Sequence, residues 1–158
     1  MKFPEKVFTH EELEKARRFI EEGNKHRLIV IGSSQFKEKV KKVLSLIRTA
    51  KYYEFLRTYI RRIIEVNGFS QLREADASIW VNKYTFEDSI EAAGYIIQKT
   101  EQMKNYIEGK PYFGGVEEAK TVKKRIQFLE DLKKRSKHKE IKERCEKNLK
   151  LWAESRFL

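Results

Sequence analysis

Leu28-Ile29-Val30-Ile31-Gly32-Ser33-Ser34 is the stretch that decides the fold class. Four consecutive apolar residues, three of them β-branched, are too few for a buried helix and read as a short buried strand closed by a glycine turn. Directly after it the pattern becomes helical. Phe36, Val40, Val43, Leu44 and Ile47 form one apolar stripe, and Phe55, Leu56, Tyr59, Ile60 and Ile63 continue it. One helix over 35–66 would be unusually long for a globular domain. The sequence therefore predicts either a break near Thr49–Tyr52 or an extended end over Ile60–Val66.

Upstream, Thr9 followed by Glu12 is a capping box that starts a helix over Thr9–Glu22. Leu13, Ala16, Phe19 and Ile20 give this helix one buried face, and Gly23-Asn24 stops it. Downstream, Asn67-Gly68 is a turn and Ala77–Val81 a second strand. Thr85 then reads as the cap of a helix reaching Ile107. Gly109–Gly115, rich in glycine with one proline, breaks the chain before two helices over 117–135 and 139–156, which pair as an antiparallel hairpin. Along the first, Val122, Ile126, Leu129 and Leu132 are the expected core; along the second, Ile141, Cys145, Leu149 and Trp152. Two strands make no stable sheet, so a third is expected near Ile63–Phe69, or else a cover of helices. The expected architecture is α+β: a small β-sheet of two to four strands packed with about five helices. It forms a single domain over 1–158, with a core over 1–108 and the helical hairpin over 115–158.

Charge is the most informative bulk property. The chain carries 35 basic and 24 acidic residues, a net charge of +11, beside an apolar content of 40% that is enough for a real core. The excess lies in two blocks. Residues 25–66 hold 11 basic and 3 acidic groups and residues 115–158 hold 14 and 8, around a mildly acidic middle. A polyanion is the expected partner, because phosphate neutralisation releases condensed counterions. No apolar run is long enough for a membrane span, and Met1–Lys6 lacks the apolar core of a signal peptide. One cysteine and three scattered histidines offer neither a disulfide nor a zinc site. Together these point to a reducing cytoplasm and away from membranes. The richness in Lys, Glu, Ile and Tyr is similar to a thermophilic composition.

Four constellations are candidates for function. Gly32, Ser33 and Ser34, between strand and helix, would seat a phosphate on helix amides, or would simply turn the chain and cap the helix. Lys37, Lys41, Arg57, Arg61 and Arg62 form a basic run interleaved with tyrosines, suited to phosphate contact and, at Tyr52 and Tyr53, to base stacking, while Tyr59 sits in the apolar stripe and reads as core. Lys134 and Arg135 belong to a basic turn, 133–139, at the hairpin tip. In the acidic middle, Glu87, Asp88 and Asp76 are candidate metal ligands for Mg²⁺ or Mn²⁺. Catalytic roles there fall to Glu87 and Asp76, with Lys83 steadying developing charge. The same acids have a simpler reading, since carboxylates in a helix's first turn complement its dipole.

A strand followed by Gly32-Ser33 and a helix resembles the opening of polymerase-beta-type nucleotidyltransferases. That family places paired aspartates shortly afterwards; here residues 35–50 contain only Glu38 as an acid. In length, composition and element order the chain is also similar to small proteins of hyperthermophilic archaeal viruses, among them the nuclease of an Acidianus filamentous virus. That resemblance implies metal-dependent cleavage of double-stranded DNA, a phosphodiester hydrolase. The alternatives are a non-catalytic DNA- or RNA-binding protein and a protein-interaction module using the C-terminal hairpin.

Overall fold

Thr9 caps the first helix, α1 (His10–Glu21), and the capping box is complete: its hydroxyl accepts from Glu12 N–H, and the Glu12 carboxylate accepts from Thr9 N–H. The computed structural model describes residues 2–112 and 114–155. After α1 come β1 (Ile29–Ile31), α2 (Ser34–Thr49), α3 (Tyr53–Tyr59), β2 (Arg62–Val66), β3 (Gln71–Arg73), β4 (Ser78–Asn82), α4 (Ser89–Ile107), α5 (Gly115–Arg135) and α6 (Lys139–Ser155). The fold is α+β: among the described residues, six α-helices and one mixed four-stranded sheet, ending in a hairpin of α5 and α6.

The predicted break in the long helical pattern falls where expected. Lys51 adopts a left-handed conformation (φ 67°) and its N–H, with that of Tyr52, bonds back to the carbonyls of Arg48 and Ile47. This is a left-handed cap that ends α2 without a glycine. The extended alternative holds as well, because Ile60–Val66 leaves the helical stripe and β2 becomes the third strand. Thr85, by contrast, does not cap the next helix. Phe86 is pulled into a stack on Phe36 (centroids 5.6 Å apart), residues 83–86 form a 3-10 turn, and Asp88 caps α4 by accepting from Ile90 and Glu91 N–H.

The sheet order is β1-β2-β4-β3, with β1, β2 and β4 parallel and β3 antiparallel to β4. Side chains alternate between its faces. Ile63, Ile79, Val81 and Leu72 point to one face, are buried, and pack into a core with Phe36, Val40, Ile47, Ile90 and Ile97 of the helices. The opposite face has no such cover. Ile29 and Ile31 are 47% and 46% exposed there, which corrects the reading of β1 as a buried strand: it is a sheet edge. Register aligns Ile31, Ile64, Trp80 and Gln71 across this open face, and Ile29, Arg62, Ser78 and Arg73 beside them.

The helical hairpin buries Leu129 and Leu132 as expected, but Val122 and Ile126 are only half-buried; Phe128, Thr121 and Arg125 take the inner positions. Cys145 is buried with no exposure, and burial pushes its thiol up to about 11. Ile141, Leu149 and Trp152 are half-buried against the core.

Candidate nucleic-acid interface

The glycine-serine turn after β1 is closed by the protein itself. Ser33 Oγ caps α2 by accepting from Phe36 N–H, and Ser33 N–H donates to Glu65 Oε1 at 2.9 Å. The carboxylate of Glu65 thus occupies the amide that a phosphate would take, so Gly32, Ser33 and Ser34 form a cap and turn rather than an open phosphate cradle. Gly32 is required by close approach: a Cβ there would lie 2.7 Å from Phe36 Cδ2 and 2.8 Å from Glu65 Cβ. Gly32→Ala is expected to cost about 1–3 kcal/mol through overpacking. Thermal unfolding would read this as a Tm lower by several degrees, and an unchanged Tm would contradict the tight turn.

The acidic residues do not converge. Asp76 lies at the N-terminal end of β4, where Lys6 Nζ bonds its Oδ1 at 2.5 Å and holds its carboxyl below the usual carboxylate range. Glu87 and Asp88 follow the opposite end of the same strand. The intervening five residues, Ser78–Asn82, span about 16 Å at roughly 3.3 Å per residue. Ligand oxygens must all lie within about 2.6 Å of a shared cation, so Asp76 and Glu87 cannot hold one ion. Asp88 Oδ1 is already committed to two helix amides and to Arg144, 2.9 Å away. Lys83 sits at the Glu87 end beside the Tyr84 ring and cannot serve Asp76. Glu87 is exposed on the first residue after the 3-10 turn. No group of three or more His, Cys, Asp or Glu among the described residues is arranged to hold a metal. The carboxylate set does not fit Mg²⁺ or Mn²⁺.

The cations separate into those that build the fold and those that face outward. Arg61 is a clamp: its guanidinium donates to the carbonyls of Pro4, Glu5 and Asp76, and it lies over Phe3. Arg57 donates to the His26 carbonyl and pairs with Glu54 at 3.2 Å. Neither is open to phosphate as expected from the sequence. Tyr52 is likewise structural, its hydroxyl donating to Asp131 at 2.6 Å, while Tyr53 is half-buried with Arg48 over its ring and Tyr59 is half-buried in the core. Lys37 and Lys41 stand exposed on the outer side of α2 with no ion pair to any described residue, and Lys42 adjoins them. Lys134 and Arg135 are exposed in the last turn of α5, whereas neighbouring Lys133 is paired with Glu146. An open groove of about 490 Å³ between α4 and α5 adds Lys110, Lys120, Lys123 and Lys124, diluted by Glu101 and Glu117.

The open sheet face is what the sequence reading missed. It carries Arg62 and Arg73 with no acidic side chain in register beside them, and Arg73 Cζ lies 4.2 Å above the half-exposed ring of Trp80. The signal was present as alternation: in Ser78-Ile79-Trp80-Val81-Asn82 the aliphatic residues turn in and the tryptophan turns out. Arg62 belongs to this face, while Lys37 and Lys41 lie beyond the covered face, so the expected basic run is divided between two sides of the sheet.

No helix among the described residues is long and apolar enough to cross a membrane. No protein-family model matches the chain, and no curated protein or solved structure shows significant similarity to it.

Proposed function

We propose that this protein binds nucleic acid through its basic surface. The observation that carries the reading is that outward cations remain after the fold has used its own: exposed Lys37, Lys41, Lys42, Arg73, Lys134 and Arg135 and half-buried Arg62 are among those in no ion pair with a described residue. Exposed, unneutralised lysines and arginines on a chain of net charge +11 favour a polyphosphate partner by counterion release. The carboxylates with an expected metal role lie at opposite ends of β4, so the proposal is one of binding and assigns no hydrolytic step.

Mobility shift and fluorescence anisotropy with DNA and RNA, across a salt series, test this. Affinity is expected to fall by on the order of a hundredfold between about 50 and 200 mM salt. Replacing Lys37, Lys41 and Lys42 together by glutamine should shallow that slope. Salt-insensitive behaviour, or no binding at low salt, would remove the proposal. Incubating the same DNA with Mg²⁺ or Mn²⁺ against EDTA gives a further outcome: metal-dependent cleavage would restore the nuclease reading and demand a different ligand set.

A further inference from the structure

We infer that the open face of the sheet is a stacking platform for single-stranded nucleic acid, centred on Trp80. The inference rests on the nucleic-acid reading above and narrows it to one surface and one form of ligand. Four strands present side chains on this face, and Ile29, Ile31, Ile64 and Trp80 lie outside the packed core and the hydrophobics that lean on it. Ile31, Ile64 and Trp80 stand side by side on adjacent strands, about 4.8 Å apart from one strand to the next. The two aliphatic side chains form a flat, apolar floor next to the indole. One row along, Arg62 and Arg73 add two positive charges, separated by buried Ser78 on β4.

Each part suits unpaired bases and suits a duplex poorly. A base freed from pairing exposes its π-face, and that face stacks on aromatic rings or on guanidinium planes. The Arg73–Trp80 pair is such a surface: Arg73 of edge strand β3 lies 4.2 Å over the Trp80 ring of central strand β4, so a base meets a guanidinium backed by the indole. Arg62, in the neighbouring strand, is in no ion pair with a described residue and would take the adjoining phosphate. Paired bases turn their faces inward and present only edges, so a duplex could use the charges here but not the ring. Charge chooses nucleic acid over an apolar protein partner. The strands place two arginines and no carboxylate on this face, with the Asp76 carboxylate near Arg73 just before β4 but already bonded to Lys6, and Gln71, Asn82 and Ser78 break up its apolar area.

The test uses the full chain with labelled oligodeoxythymidylate, the same length of duplex, and three variants. Trp80→Ala should weaken single-strand binding roughly 10- to 100-fold, while Trp80→Phe retains most of it. In a Trp152→Phe background, Trp80 emission should be quenched on saturation with the single strand; this readout holds even if the alanine variant folds poorly. Single-strand affinity unchanged in a folded Trp80→Ala protein, or saturation without quenching, would overturn the platform and leave the broader nucleic-acid proposal standing. Preference for duplex with no change in Trp80 emission would do the same. Absence of binding to either form would overturn both.

Discussion

Replacing Arg125 by alanine is expected to destabilise the protein by about 3–5 kcal/mol, the sum of the cavity a large buried side chain leaves and of the buried Gln98 oxygen it strands. Arg125 lies on α5, is 5% exposed, and reaches across to α4. Its guanidinium donates to Gln98 Oε1 at 3.0 Å and to both the carbonyl and the carboxylate of Glu91, at 3.1 and 2.6 Å. Trp152 of α6 stacks against it with 4.4 Å from Cζ to the ring. One side chain therefore ties all three helices together. The close approach depends on Gly94, where a Cβ would fall 2.9 Å from Arg125 Nε. Truncation would leave a cavity beside Trp152 and a buried Gln98 oxygen without its donor. At about 2–4 °C per kcal/mol for a domain of this size, Tm should drop by roughly 10 °C. Lysine should not rescue it, since one ammonium nitrogen cannot take the places of two separate guanidinium nitrogens, one on Gln98 and one on Glu91, nor stack flat on the indole. The paired change Arg125→Met with Gln98→Leu, which removes donor and acceptor together, should recover much of the loss. A folded Arg125→Ala protein with unchanged Tm would show that the hairpin is docked by its apolar contacts alone.

How far the sequence could be read depends on the range of the interactions involved. Thr9 and Glu12 are three residues apart and their capping box is a local event, so α1 was legible to within a residue. The end of α2 was legible as a region but not in mechanism, because Lys51 is not a residue type that announces a left-handed cap. β3 was not foreseen; only Leu72 of its three residues is buried, too little for a pattern. The candidate site failed for the same reason on a larger scale. Spacing showed Arg61 to be basic, but not that the carbonyls of Pro4 and Glu5 would fold back onto it. Ser33 suggested an anion site, but nothing nearby in the chain indicated that Glu65 would fill it. Glu87 and Asp76 are eleven positions apart, a separation that permits convergence across a turn; a straight strand between them forbids it. Outward charge is legible from composition, whereas which charges remain outward is decided by partners distant in sequence.

Acid is expected to weaken the fold through His26 before most carboxylates titrate. His26 is 6% exposed, stacked on Phe19 at 5.2 Å and edge-on to Phe3 at 4.5 Å. Burial among these rings, reinforced by the positive charges of Arg61 and Arg57, pushes its imidazole down to about 4 from an ordinary value of 6.5. The folded form resists protonation that the unfolded form accepts, so the unfolded chain binds more protons between those two values. Stability from the neutral ring is therefore complete above pH 6.5 and is lost as pH falls toward 4, by about 3 kcal/mol over the window. Asp76 has the opposite origin but the same direction, its carboxyl held down chiefly by the Lys6 bond, so its loss begins lower, below the usual carboxylate value of 3.8. Urea unfolding of the wild type and of His26→Phe at several pH values between 7.5 and 4.5 separates the two. Phenylalanine keeps the stack and the backbone bonds of residue 26 with Arg57, but cannot take a proton. Its unfolding free energy should stay nearly level over this range while that of the wild type declines, and parallel curves would locate the acid sensitivity elsewhere than in His26.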